Sequence, residues 1–338
     1  MKTYILKKHG KPSVLKIQDV PKPNVKQGEV RIKIQTIGLN YAEIQSRKGL
    51  YQWAPKMPYT LGMEAYGTVD AMGENVTSHK IGDPVIVANQ FGCYAEYVTI
   101  PAVQALPVIP GYSPEENAAF SVSFMTAWVA LMEMGRLRPT DTVLIQAAAG
   151  GLGTAAVQIS KKYGCTVFGT VGSDDKIKLV QDLGIDGAIN YRKDNFRQKL
   201  LELNNGKGAD VILEVVGGEV FRESLKSLNP FGRVVVIGFA SLDLNKWNPF
   251  SWYKTWKSIP KANISNLAVH SSGVLASHLG YLLKDSERLM NVWSNLTHFT
   301  EKHHIKPIVG HTFDFDDLPE AHHLMESRKS VGKIVIKV

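Results

Sequence analysis

Six residues near the middle of the chain constrain its fold more than any others. Ala148-Ala149-Gly150-Gly151-Leu152-Gly153 closes the apolar run TVLIQAA (142–148) and opens the helical pattern TAAVQISKKYG (154–164). A strand that turns into a helix through glycines leaves the first N–H groups of the helix unpaired and its positive dipole end exposed, a ready anion site. In the dinucleotide fingerprint G-x-G-x-x-G, the middle glycine lets backbone approach a pyrophosphate and the last lets the helix pack on the strand. Gly150 and Gly153 take those places, and Ala148 stands at the first. A turn kept only for packing is the alternative. The strand–turn–helix context, with further strand runs following in step, favours nucleotide binding.

Those runs are TVFGTV (166–171), GAINY (187–191), DVILEVV (210–216), RVVVIGF (233–239) and ISNLAVH (264–270). They are apolar on both faces and alternate with helical patterns, as strands of a doubly covered parallel sheet do. Six strands in the order 3-2-1-4-5-6 give a doubly wound α/β fold, with 264–270 as the sixth strand at an edge. The first 120 residues differ. Short alternating runs such as EVRIKIQTIG (29–38), AYGTVDAMG (65–73), DPVIVAN (83–89) and CYAEYVTI (93–100), broken by Gly and Pro, predict a compact all-β unit. Ser113, followed by Pro114, then opens a long apolar helix through ENAAFSVSFMTAWVALME. The tail after Lys306 returns to strand, helix and strand.

The choice of nucleotide turns on the end of the second strand, where an NAD site holds an acid against the ribose hydroxyls. A simple count from the glycines selects Asp174. The spacing also reads as Ser173 capping the next helix, with Asp174 and Asp175 favouring its dipole and Lys176 returning toward a 2′-phosphate. Tyr191, at the end of the third strand, can support that phosphate. Gly238 and Phe239, which close the fifth run, are taken as further cofactor contacts.

Composition excludes several classes. At 338 residues and 44% hydrophobic content the chain suits two cored domains. Its net charge of +8 is spread without a block of five basic residues, which argues against nucleic acid. Only Cys93 and Cys165 are present, too few for a disulfide framework, and neither has a neighbouring base to activate it. The charged start MKTYILKKHG and the lack of 18 consecutive apolar residues predict a soluble, cytoplasmic protein. His303-His304 and His322-His323 lack further ligands at suitable spacing and read as surface or capping residues.

With these residues in view, the chain resembles the medium-chain dehydrogenase/reductase superfamily along its length, and within it the zinc-free quinone oxidoreductases. Gly10-Lys11-Pro12-Ser13-Val14-Leu15, Gly38-Leu39-Asn40-Tyr41, Leu61-Gly62-Met63-Glu64, Gly82-Asp83-Pro84-Val85 and Ala147–Gly153 occur in the family's order. Gly49-Leu50-Tyr51, His278-Leu279-Gly280-Tyr281, His304-Ile305-Lys306-Pro307 and a Trp-rich stretch after 245 are most similar to the vesicle amine transport protein 1 homologues. The resemblance implies a GroES-like domain formed by 1–122 and 272–338, with a Rossmann domain at 123–271 between them. It also implies NADPH, with Lys176 and Tyr191 at the 2′-phosphate and with Asn40 and Arg328 as cofactor contacts. Zinc enzymes of the superfamily carry a Cys, a His and a third ligand where this chain has Asn40, Met63 and Val122, and no tetrahedral zinc site follows from those.

Hydride transfer without a Lewis acid suits a quinone or an α,β-unsaturated carbonyl. Charge then develops on oxygen, and Tyr41 or Tyr51 can donate to it while Asn40 orients the nicotinamide or the carbonyl. A non-catalytic NADPH-binding protein acting through partners or membrane surfaces is the alternative. The segment 245–257 reads as a helix from Asn248-Pro249 that puts Trp252 and Trp256 on one face, a packing helix or a membrane-surface helix. The apolar edge run 264–270 predicts a homodimer by strand pairing across a two-fold axis.

Overall fold

The computed structural model of the chain describes residues 1–241, 259 and 261–338. The Trp-rich helix expected after 245 lies outside the described residues. The chain divides into two compact units, Met1–Met125 with Gly280–Val338, and Thr126–Leu279.

The first unit is built on the strand Glu29–Gly38, where Val30, Ile32 and Ile34 alternate inward while Lys33 and Gln35 do not. It pairs antiparallel with Glu64–Met72, with Tyr97–Pro101 and with the C-terminal strand Lys333–Lys337. Apart from Tyr97–Pro101, the sheet runs Val309–Asp314, Lys333–Lys337, Glu29–Gly38, Glu64–Met72, Pro84–Ala88, Ala105–Pro107. The last strand of the chain thus completes the sheet begun by the first third, so both chain ends fold as one body. Burying Ile32, Ile37, Val85, Ile334 and Ile336 together stabilises it by about 1.5–3 kcal/mol for each side chain.

The long apolar helix expected from Ser113 is broken in three. Ser113 and Glu116 do form a reciprocal cap at its start, but Pro114–Ala118 ends there. A second helix, Ser121–Trp128, begins where the buried carboxylate of Glu64 accepts from Val122 N–H at 2.8 Å and Ser121 Oγ at 2.9 Å. Residues Val129–Met134 then widen into a π-turn. A new N-terminus with its own buried cap, invisible in a run of apolar residues, outcompetes helix continuity.

The second unit is a six-stranded parallel sheet. Its order is Gly187–Asn190, Thr166–Val171, Thr142–Ile145, Ala209–Glu214, Leu228–Val236, Gly273–Ala276, which is 3-2-1-4-5-6 as expected. The central strands carry Val143, Leu144, Ile145, Val211, Ile212 and Leu213 fully buried on both faces. The sixth strand is not 264–270. Ile264–Val269 is a short helix whose N-cap Asn263 accepts from the N–H groups of Ser265 and Asn266. Its Ile264 and Val269 are 76% and 78% exposed, so the apolar run marks a surface and not a strand interior. The edge strand follows it at Gly273–Ala276, pairing with Arg233–Val236. Among the described residues, no helix is long and apolar enough to cross a membrane.

Candidate functional site

In the second unit, strand Thr142–Ile145 ends in a turn that delivers Gly150 as N-cap of the helix Gly151–Tyr163. The amide of Thr154 is the first to reach back, to Gly150 O at 2.8 Å. Gly151, Leu152 and Gly153 therefore present N–H groups beyond the helix start with no intrahelical acceptor. The two fingerprint glycines differ in what demands them. A Cβ on Gly153 would lie 2.3 Å from Ala147 O, so close packing of helix on strand requires glycine there. A Cβ on Gly150 would meet nothing nearer than 3.4 Å, and its φ of −82° suits any residue. The bare backbone at Gly150 leaves a cradle that the protein itself does not fill. Gly238 is similar, with only Val215 O at 3.7 Å. Ala148, in the place of the first glycine, has its methyl accommodated by the missing side chain of Gly169 on the next strand.

At the far end of this surface, the turn after Val171 carries the residues expected to read a phosphate. Lys176 is half-buried and its ammonium pKa is lowered by desolvation and by the nearby Arg192, so two cations converge there. The Tyr191 hydroxyl lies over Gly172, where a Cβ would come within 2.7 Å of it. Asp174 turns away, accepting from Asn190 Nδ2 at 2.7 Å and pairing with Lys193. Ser173 does not cap the following helix as expected. The helix is Asp175–Asp182, with Asp174 at the N-cap position in helical conformation, and Ser173 contributes only its carbonyl, accepting from Lys176 N–H at 3.2 Å. Phe239 is 37% exposed beside Gly238.

In the first unit, Asn40 is buried and its side chain is committed. Its Nδ2 donates to Glu64 Oε1 at 3.0 Å and to Gly38 O at 3.3 Å, and its Oδ1 accepts from Lys333 Nζ at 2.9 Å. Lys333, itself buried, also donates to Leu39 O at 2.9 Å and to Glu64 Oε1 at 2.5 Å. Tyr41 begins the helix Tyr41–Lys48 next to Asn40. Tyr51 is half-buried beside Gln90, and desolvation pushes its hydroxyl pKa up, so it keeps its proton at neutral pH. Arg328 sits just past the helix Leu318–Glu326 with a left-handed φ of 60°.

Comparison with known proteins places this geometry. Residues 26–110 match the alcohol dehydrogenase GroES-like domain and residues 151–289 match the zinc-binding dehydrogenase family. The human synaptic vesicle membrane protein VAT-1 homolog is 32% identical over 340 residues, which covers 99% of this chain and 86% of that one. The zebrafish counterpart is 33% identical over 317 residues, covering 93% of this chain and 65% of that protein. A quinone oxidoreductase-like protein 2 homolog of Nematostella vectensis is 32% identical over 331 residues, or 97% and 86% of the two chains. The Escherichia coli quinone oxidoreductase, solved with NADPH, superposes with a TM-score of 0.89 at 27% identity over the full length of both chains.

The chain belongs to the medium-chain dehydrogenase/reductase superfamily.

Within that superfamily it is quinone oxidoreductase-like. The zinc enzymes' ligand positions hold an amide tied to a carboxylate and an ammonium (Asn40), a thioether (Met63) and an apolar side chain (Val122), a donor set that does not fit zinc. Among the described residues no group of three His, Cys, Asp or Glu gathers to hold a metal ion. Sequence reasoning missed the buried partners of this region. His322, expected at the surface or as a cap, is fully buried and bonded to Arg47 and Tyr94, and Glu43 is buried at the centre of the same network. The spacing Asn40-x-x-Glu43, an N-cap with an acid at N3, was the signal available for Glu43. Nothing local in sequence separates His322 from the exposed His323.

Proposed function

We propose that this chain is an NADPH-dependent reductase that transfers hydride to a quinone or an α,β-unsaturated carbonyl without zinc. The observation that carries the reading is the pairing of an unfilled cradle at Gly150, at the head of the helix Gly151–Tyr163, with two converging cations, Lys176 and Arg192, past the end of the second strand. The residues present fit the dinucleotide: the amides of Gly151, Leu152 and Gly153 would hold the pyrophosphate, and Lys176 with Tyr191 and Ser173 would hold the 2′-phosphate end. Gly238 and Phe239, in the same unit, would add further contacts. The bound cofactor supplies the hydride. What the chain contributes on the acceptor side is hydrogen bonding: Tyr41 or the neutral Tyr51 hydroxyl meets the oxygen on which charge develops, while Asn40, held by Glu64 and Lys333, stays fixed in place.

The NADPH complex of the structurally similar E. coli quinone oxidoreductase supports the cofactor. The experiment is steady-state NADPH consumption with a panel of quinones and enals, with and without a chelator. Turnover that survives chelation is expected. Tight NADPH binding without turnover across the panel would favour a non-catalytic NADPH-binding role, and activity lost to the chelator would contradict zinc independence.

The reading includes a homodimer. The edge strand Gly273–Ala276 is paired on one side only among the described residues, and Phe231, Ile264 and Val269 are exposed apolar side chains in the same unit. Pairing that edge with its own copy would satisfy its free backbone groups.

A further inference from the structure

The carboxylate of Glu43 is fully buried and receives three hydrogen bonds. Its Oε2 accepts from Asn40 N–H at 2.8 Å and from the Tyr94 hydroxyl at 2.7 Å, and its Oε1 accepts from Met63 N–H at 2.7 Å. One side chain thus ties the bend before the helix Tyr41–Lys48 to the bend before the strand Glu64–Met72. Behind Tyr94 the chain of contacts continues. The Tyr94 hydroxyl lies 2.9 Å from His322 Nε2, and Arg47 Nε–H donates to His322 Nδ1 at 3.3 Å. Arg47 is itself anchored by donating to Gly10 O at 2.6 Å and by pairing with Glu326.

The direction of this chain is set at its Arg47 end. A guanidinium only donates, so His322 Nδ1 must accept. A neutral imidazole that accepts at Nδ1 carries its proton on Nε2, and that proton points at the Tyr94 oxygen. The ring stays neutral because burial and the Arg47 charge both push its pKa well below the ordinary value. The Tyr94 proton is then directed to Glu43. Every group bonded to the Glu43 carboxylate is a donor, so a proton placed on it finds no acceptor among them.

We propose that Arg47, His322 and Tyr94 form a positioning relay that holds Glu43 as a pure acceptor, so that Glu43 clamps the backbone of Asn40 and Met63. None of the four needs to touch the acceptor. The kinetic part of this proposal rests on Asn40 lying at the reductase site; the clamp itself does not. The groups facing Glu43 are Tyr94, the Lys333 ammonium, and the neutral Cys93 and Tyr51, whose own pKa values burial raises. Desolvation pushes the Glu43 carboxyl up to about 7 against the pull of its donors and of Lys333. The clamp therefore engages as pH rises through neutrality.

The test follows the backbone amide protons of Asn40 and Met63 by NMR in the full-length, NADPH-loaded protein across neutral pH. Both are expected to move downfield together with one shared midpoint. Tyr94→Phe keeps the ring and removes one donor, and should raise that midpoint by about one unit. Glu43→Gln should abolish the titration at both amides. It should also lower kcat with a quinone about tenfold or more while NADPH Kd changes less than about threefold. Amides that do not titrate, that titrate apart, or that ignore Tyr94→Phe would overturn the relay. Wild-type protein without turnover would instead sink the reductase reading, leaving the amide titration to decide the clamp. A merely packing role for Tyr94 predicts lower thermal stability with an unmoved midpoint.

Discussion

Ala147 adopts a left-handed conformation, with φ of 54°, at the head of the nucleotide turn. For a residue with a Cβ this conformation is held at a cost of about 1–2 kcal/mol. Its neighbours hold it there: its N–H donates to Thr170 Oγ1 at 3.2 Å, and its carbonyl accepts from Gly150 N–H at 3.0 Å. Glycine at this position relieves the strain and adds unfolded-state entropy, so the two effects oppose. Ala147→Gly is expected to raise stability by about 0.5–1 kcal/mol in chemical denaturation, since relief of strain is the larger effect. A loss of stability would show that the Ala147 methyl packs better than its conformation suggests. At the same scale, the fingerprint was legible because its glycines stand at fixed spacing between a strand run and a helical pattern, whereas the clash that requires Gly153, the strain at Ala147 and the room made by Gly169 needed coordinates.

Among the elements, the helix Leu318–Glu326 brings a neutral, fully buried His322 onto the helix Tyr41–Lys48 through Arg47. A histidine whose pKa is depressed in the folded state stabilises the fold fully above the unfolded pKa of about 6.5, and that stability is lost as pH falls below it. Glu43 acts in the opposite sense. Its folded pKa of about 7 lies above the unfolded value, so stability falls as pH rises between about 4.5 and 7. The two partly cancel in the wild type. Replacing His322 by Gln, which can still accept from Arg47 and donate to Tyr94, removes one side of that balance. Its stability relative to the wild type should improve by about 1.4 kcal/mol for each pH unit below about 6.5. A stability difference independent of pH between pH 5 and 7 would show that the His322 pKa is not lowered in the fold. Such pairings are what sequence patterns leave out. The parallel strands were legible because their middle residues, such as Val143, Leu144, Ile145, Val211, Ile212 and Leu213, are apolar in unbroken runs and buried on both faces. The apolar run 264–270 misled because Asn263 caps it as a helix, and the apolar stretch after Ser113 misled because Glu64 caps a new start inside it. In both cases a side chain remote from the periodicity, or just ahead of it, decided the element.

At the scale of the whole molecule, the chain holds a GroES-like unit assembled from both chain ends and a doubly wound unit whose strand Gly273–Ala276 is a sheet edge among the described residues. If that edge pairs with its copy, light scattering at micromolar concentration should give twice the 37.3 kDa chain mass. A proline at Leu275 should shift the protein toward monomer or misfolding. A monomeric wild type would refute the assembly. The central claim concerns the cofactor, because the substrate reading depends on it. It is tested most directly by titrating NADPH and NADH into the wild type and into Lys176→Ala. A charge-assisted contact to the 2′-phosphate is worth about 1.5–3 kcal/mol. The wild type should therefore prefer NADPH, and the variant should lose about tenfold or more in NADPH affinity while its NADH affinity stays nearly unchanged. Equal losses for both cofactors, or a wild type that prefers NADH, would contradict it.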